Sequence, residues 1–173
     1  KGQVKISGSK NASLPILAAT LLSDKRISLT NIPRVKDVET MIKLLESMGS
    51  KVKVLKNKNS LIIKNDKIIK AEASYDLMST MRAGIIVLGP LLARFGKARA
   101  SIPGGCNLGF RPIDIHLEAL KKMGVKYKLV DGYINAKAKN GLVGAKIKFP
   151  KISVGATENL MIAACLAKGQ TVL

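Results

Sequence analysis

One thiol and one guanidinium, Cys106 and Arg111, lie within ten residues reading PGGCNLGFRP, from Pro103 to Pro112. Three glycines there allow the backbone to approach a ligand closely. A cysteine beside an arginine can hold a lowered pKa and be reactive, or serve as a positioned acid. A loop cysteine of no consequence fits the spacing as well. Cys165 differs, because it falls in the apolar run NLMIAACLA and is expected in the core. The residues from Arg111 through Pro112, Ile113, Asp114 and Ile115 to His116 read RPIDIH. An arginine fork and a carboxylate at a helix start can hold phosphate and sugar hydroxyls. Asp114 reads equally as an N-cap, and His116, the only histidine, as a helix-surface residue. No second histidine, cysteine pair or carboxylate cluster stands near, so no metal site is expected.

Three further segments carry charge or open backbone. In SGSKNASLP, Lys10 and Asn11 immediately precede an apolar run, and Ser9 or Asn11 could cap a helix there. A lysine beside free helical N–H groups suits an anion, although an ordinary cap with a solvated lysine reads the same way. Arg82 opens a second apolar run, where a charge is costly unless it meets an anion or caps a structure. Lys151, Ser153, Val154 and Gly155 belong to KISVGATEN, whose small residues leave the backbone accessible before a third run.

The elements that must position these residues form a repeat. The runs Ala12–Leu22, Ala83–Ala93 and Asn159–Ala167 are apolar nearly all round, so each is expected to be a helix buried on every face. Pro15 suits a first helical turn, and Pro90 after Gly89 is expected to kink the second helix. A short strand follows the first two runs, at Ile27–Thr30 and Ala98–Ile102. Amphipathic helices come next, with Val38, Met41, Leu45 and Met48 on one face, and Ile113, Leu117, Leu120 and Met123 on the other copy's. Gly49 and Gly124 stop them as C-terminal caps. Hairpins then pair Val52–Leu55 with Leu61–Ile63 across Asn57–Asn59, and Val125–Val130 with Tyr133–Ala136 across Asp131-Gly132. Two and a half units result, at about 1–70, 71–140 and an incomplete 141–173. The fold class is α/β, with helices inside and sheets outside.

Composition narrows the function. The net charge is +19, but 24 of the 30 basic residues are scattered lysines, and three Tyr, three Phe and no Trp offer few stacking platforms. A nucleic-acid surface is therefore not expected, and a lysine-coated surface that also suits an anionic small molecule is. Two cysteines do not make a disulfide framework, which favours a reducing cytoplasm. The apolar runs are shorter than the about 20 residues that span a bilayer, so no membrane partner is expected. Lys1 and Leu173 read as cuts through a longer protein, so that any N-terminal targeting segment would lie out of view.

Lys10-Asn11 before LPILAATLL, Met81-Arg82 before a helix ending GPLLARFG, PGGC followed by GFRPIDIHLEAL, and KISVGATEN occur together, in order, over the whole chain. In this the chain resembles the UDP-N-acetylglucosamine enolpyruvyl transferases. The resemblance implies an inside-out α/β barrel of two similar domains, of which this chain is most of the first. It implies transfer of the enolpyruvyl group of phosphoenolpyruvate to the sugar 3-hydroxyl, with release of phosphate, in the cytoplasm, as the first committed step of peptidoglycan synthesis. No redox cofactor or metal is implied. Lys10, Arg82 and Arg111 would meet phosphoenolpyruvate, and Asn11 the sugar. Cys106 would be the acid and the target of fosfomycin. Arg111 to His116, with Lys151, Ser153, Val154 and Gly155, would bind the nucleotide sugar. The shikimate-pathway transferase shares the fold but lacks the PGGC loop. The general-base aspartate and further arginines would lie in the second domain, so the chain alone is expected to be inactive.

Overall fold

The computed structural model describes the chain except for residues 5, 56–58, 69 and 103–112. Helix α1 (Lys10–Ala19) continues as a 3-10 turn, Thr20–Leu22. Strand β1 (Ile27–Leu29), helix α2 (Lys36–Ser47) and strands β2 (Lys51–Leu55) and β3 (Ser60–Lys64) follow. The second copy adds β4 (Glu72–Ala73) and α3 (Tyr75–Met78), two short elements that apolar periodicity did not announce. It then repeats the pattern: a 3-10 helix, Arg82–Val87, passing into α4 (Leu88–Phe95), then β5 (Lys97–Ser101), α5 (Asp114–Lys122), β6 (Lys126–Val130) and β7 (Tyr133–Lys137). Helix α6 (Val154–Ala164) opens the third copy.

The sheets show the repeat as topology. The first has the order β1-β3-β2, and the second β4-β5-β7-β6. In each, the second strand of the hairpin pairs antiparallel with the strand before the amphipathic helix: Ser28 opposes Ile62, and Arg99 opposes Asn135. Strand β4 runs parallel to β5 at the edge of the second sheet. The third copy begins the same way, with parallel bridges Val143–Lys168 and Lys146–Val172.

The expected turn chemistry is present. Gly49 and Gly124 have φ of 109° and 89°, the left-handed region where a side chain would be strained. Asp131 and Gly132 both have positive φ, as a two-residue hairpin turn requires. Val38, Met41, Leu45 and Met48 are buried, as are Leu117, Leu120 and Met123, with Ile113 packed against the same core.

The apolar helices depart from the expectation of burial on every face. The middle segment meets it: Ile85–Leu92 is buried throughout, because it packs against both α1 with its 3-10 turn and α6. The outer two each have one neighbour-free side. Ser13, Leu14, Leu17 and Ala18 of α1 are buried, while Ile16 is 46% exposed. On α6, Met161 is 59% exposed and Cys165, at the C-cap, is exposed too. Cys165 is therefore not a core residue; its position one turn after Met161 puts it on the same outward face. Pro15 is likewise not in the first turn but sixth in α1, where it withholds the N–H that would bond the Asn11 carbonyl. Pro90, expected to kink the middle segment, is the third residue of α4, a first-turn position that tolerates proline, just after the 3-10 helix gives way at Leu88. The lysines are less scattered in space than along the chain: Lys97, Lys126, Lys128, Lys137 and Lys139 line one groove beside the second sheet. No helix among the described residues is long and apolar enough to cross a membrane.

A single guanidinium ties the first two copies together. Arg94, in the last turn of α4, donates from Nη1 to the carbonyls of Leu21 (2.9 Å) and Ser23 (3.1 Å), and from Nη2 to that of Asn65 (3.0 Å). Asn65, fully buried, donates to the Thr20 carbonyl at 2.6 Å. These bonds satisfy carbonyls left over where the first buried helix ends. Replacing Arg94 with Ala is expected to cost about 2–3 kcal/mol, the range for hydrogen bonds to charged groups. Arg94→Lys should recover only part, because an ammonium cannot reach three carbonyls as a fork does. Urea unfolding decides this; a change under about 0.5 kcal/mol, typical of an unremarkable surface site, would contradict the role.

Candidate functional site

Five helix starts, those of α1, α2, the 3-10 helix, α5 and α6, line one cavity of about 680 Å³. Lys10 and Asn11 come from α1, Met81 and Arg82 from the 3-10 helix, Ile115 and His116 from α5, and Ser153, Val154 and Gly155 from α6; Lys151, Asp37 and Glu158 complete the wall. Helix N-termini carry unpaired N–H groups and the positive ends of their dipoles, so their convergence favours an anion even before the side-chain cations are added.

Local sequence explains why the helices start here. Ser9 is the N-cap of α1 and accepts from the Ala12 N–H at 3.3 Å, and Ser13 donates its hydroxyl to the Ser9 carbonyl at 2.8 Å. Helix α6 uses the same device: Ser153 accepts from Ala156 N–H at 3.3 Å, and Thr157 donates to the Ser153 carbonyl at 2.9 Å. The recurrence of serine followed four residues later by a hydroxyl residue thus sets Lys10-Asn11 and Val154-Gly155 in equivalent places. Ser9, not Asn11, is the cap, which leaves the Asn11 side chain to the cavity wall. The 3-10 start at Arg82 packs tightly on α3, because a Cβ at Gly84 would lie 2.4 Å from Met78 Sδ.

Lys10 Nζ forms an ion pair with Asp37 Oδ2 at 2.9 Å, with both side chains partly exposed. Such a pair contributes at most about 1 kcal/mol, so an incoming phosphate can compete for the ammonium. Glu158 is the second carboxylate on the wall, and burial holds its pKa above the ordinary value.

His116 occupies the opposite extreme. It is 7% exposed, and burial drives its pKa down to about 4, with the Asp114 carboxylate pushing upward but not prevailing. The ring is therefore neutral at physiological pH, and His116 is not a helix-surface residue. Its Nδ1 lies 3.1 Å from Asn159 Nδ2. Asn159 is fully buried; its Oδ1 accepts from the Gly89 N–H at 2.8 Å, and its Nδ2 is 3.4 Å from the Ile85 carbonyl. Gly89 must be glycine for this, since a Cβ would lie 2.2 Å from that Oδ1.

The remaining expected site residues divide. Asp114 is exposed in the first turn of α5, follows the N-cap position taken by Ile113, and makes no capping bond. It faces a smaller cavity of about 100 Å³ with Lys148 and Phe149, not the main one. Pro112, Arg111 and Cys106 lie outside the described residues. Sequence reasoning missed Asp37, Glu158 and Asn159. Asn159 had a readable signal, a lone amide opening an apolar run, for burying an amide requires partners.

A model of the family described as EPSP synthase (3-phosphoshikimate 1-carboxyvinyltransferase) matches residues 1–173. A UDP-N-acetylglucosamine 1-carboxyvinyltransferase of Pelagibacter ubique is 69% identical over 173 residues, all of this chain and 41% of its own length. One from Sulfurovum sp. is 53% identical, covering 99% of this chain and 40% of its own length. The chain thus spans about two fifths of the curated relatives it matches. Among solved structures, the enolpyruvyl transferase NikO of Streptomyces tendae superposes with a TM-score of 0.81 at 20% identity, over 99% of this chain and 40% of that one. EPSP synthase of Acinetobacter baumannii gives 0.75 at 16% identity, over 98% and 39%. These structures share the fold.

Burial of His116 makes stability depend on pH. Its folded-state pKa of about 4 lies below the free value of 6.5, so the unfolded chain takes up the proton first as pH falls. The stabilisation is complete above about pH 6.5 and is lost on the way down to about pH 4, to the extent of about 3 kcal/mol. His116→Gln, which cannot titrate, should flatten that limb of the profile. Urea midpoints measured from pH 7.5 to 4 check this, and an equally steep loss in the variant would contradict it.

Proposed function

The chain belongs to the EPSP synthase family, and on that premise we propose that it is most of the first domain of a transferase that moves the enolpyruvyl group of phosphoenolpyruvate to the 3-hydroxyl of UDP-N-acetylglucosamine. The nucleotide sugar, rather than a shikimate phosphate, is favoured by the named function of relatives 69% and 53% identical over nearly all of this chain. The PGGC segment around Cys106 favours it too. The observation that carries the reading is the cavity itself, where Lys10, Asn11, Arg82, His116, Lys151 and Ser153–Gly155 meet.

In this reading the reaction is an addition followed by an elimination. The sugar oxygen bonds to C2 of phosphoenolpyruvate while C3 gains a proton. The C2–O bond to phosphate then breaks and C3 gives up a proton, leaving the enol ether and free phosphate. Lys10, Arg82 and Arg111 offset the charge of the phosphate and carboxylate, which is the stabilisation such a displacement needs. Cys106 supplies the acid. Asn11, Arg111 to His116 and Lys151 to Gly155 hold the nucleotide sugar. The base is an aspartate of a second domain, and the two domains, each of three helix–sheet units, form an inside-out α/β barrel with the active site between them. The apolar side chains exposed here, Ile152, Val154 and Met161 among them, face that second domain. The enzyme works in the cytoplasm at the opening of peptidoglycan synthesis, without metal or redox cofactor.

Phosphate release from phosphoenolpyruvate and UDP-N-acetylglucosamine tests this. A polypeptide of the relatives' full length that carries this chain should release phosphate, and the 173-residue chain alone should not exceed background. In the longer polypeptide, Lys10→Ala or Arg82→Ala should lower kcat/KM by about a hundredfold or more, the usual effect of removing one group that stabilises developing charge. Turnover by the short chain, or full activity in both variants, would overturn the reading.

A further inference from the structure

The amide of Asn159 has no freedom of orientation. The Gly89 N–H can only donate, so the atom it meets at 2.8 Å must be oxygen. The Ile85 carbonyl can only accept, so the atom facing it at 3.4 Å is the NH2 group. The same NH2 lies 3.1 Å from His116 Nδ1. A donor there requires a lone pair on Nδ1, and a neutral imidazole with Nδ1 unprotonated carries its hydrogen on Nε2. The other edge of the ring, Cε1 and Nε2, lies beside Gly155 on the cavity wall, within 3.7–3.8 Å of where a Cβ there would sit.

We propose that Asn159 is a positioning residue that locks His116 in the Nε2–H tautomer, so that the ring offers the cavity an uncharged N–H donor for an oxygen of the nucleotide sugar. The lock is read from the protein alone; the identity of its ligand rests on the function proposed above. It explains an otherwise costly arrangement. Two polar side chains, Asn159 fully buried and His116 nearly so, and a glycine forced by close helix contact are held between α4, α5 and α6, where apolar packing would suffice for stability alone. It also gives the site a donor that is not another cation, and so does not attract phosphate indiscriminately.

His116 is the only histidine, so its ring nitrogens give an unobstructed pair of signals in the 15N-histidine-labelled chain. Long-range 15N–1H correlation at pH 7 should show a single Nε2–H tautomer. Asn159→Asp keeps the oxygen for Gly89 but puts an acceptor where the NH2 was; it should move the ring hydrogen to Nδ1, or protonate both nitrogens. An Nδ1–H or mixed tautomer in the unmodified chain overturns the lock without recourse to any variant. An unchanged tautomer in a folded Asn159→Asp chain overturns it as well. Calorimetry with UDP-N-acetylglucosamine tests the donor role: His116→Phe, which removes the donor whatever the protonation state of the ring in Asn159→Asp, should bind about tenfold more weakly or worse, the loss of one well-placed hydrogen bond. Equal affinity would overturn that role. If the unmodified chain shows the expected tautomer but binds no nucleotide sugar, the substrate reading fails while the lock stands.

Discussion

Everything at the site depends on the first turns of five helices being brought to one place. A helix start leaves N–H groups without partners, and in a protein interior each must find an acceptor or face water. Here the repeat stacks α1, the 3-10/α4 segment and α6 against one another, so their starts share one end, and the starts of α2 and α5 join them. Serine caps satisfy part of the deficit at Ser9 and Ser153. Lys10, Arg82 and Lys151 line the cavity against the carboxylates Asp37 and Glu158, and the positive ends of the helix dipoles add to that balance. A phosphorylated or carboxylated ligand is the kind of partner such a wall suits, since it brings both acceptors and negative charge.

Stacking at that closeness has its own requirements, and polar residues meet them. The middle segment, buried from Ile85 to Leu92, changes from a 3-10 to an α-helix at Leu88, so the Gly89 N–H lies in a first α-helical turn and needs an acceptor from outside it. Asn159 accepts the Gly89 N–H, and the absence of a Cβ at Gly89 lets α6 approach. Arg94 does the corresponding work at the opposite end, collecting three carbonyls where the first copy's helix ends. The buried segment is therefore held along its length and at its C-terminal turn by side chains that carry specific geometry, which is what a site requiring fixed donors demands of its scaffold.

The repeat was readable in the sequence because its signals are local: apolar runs of matched length, amphipathic stripes at Val38–Met48 and Ile113–Met123, and glycines where φ turns positive. The hairpins β2–β3 and β6–β7 follow from those signals, whereas the pairing of β1 with β3 and of β5 with β7 is a tertiary contact that local signals do not announce. Burial was read less well, since sidedness depends on neighbours and not on composition. Ile16, Met161 and Cys165 belong to runs as apolar as the middle one, yet face outward because α1 and α6 lie at the flanks. His116 is the converse: a titratable residue on an amphipathic helix, buried because α6 passes over it. That Lys10, Asn11, Arg82, Lys151 and Ser153–Gly155 line one cavity agrees with their residue types and their positions at or just before helix starts. Asn159 and Arg94 were not readable in that way, because their roles lie in contacts across 70 or more residues of sequence, Asn159 to Gly89 and Arg94 to Leu21.

The central claim is that the convergent helix starts, and not the lysine-rich groove beside the second sheet, receive the nucleotide sugar. Amide chemical-shift mapping of the 15N-labelled chain during titration with UDP-N-acetylglucosamine addresses it directly. Saturable shifts should centre on Asn11, His116, Val154 and Gly155. Shifts confined to Lys97, Lys126 and Lys137, or none at saturating ligand in a folded chain, would contradict it.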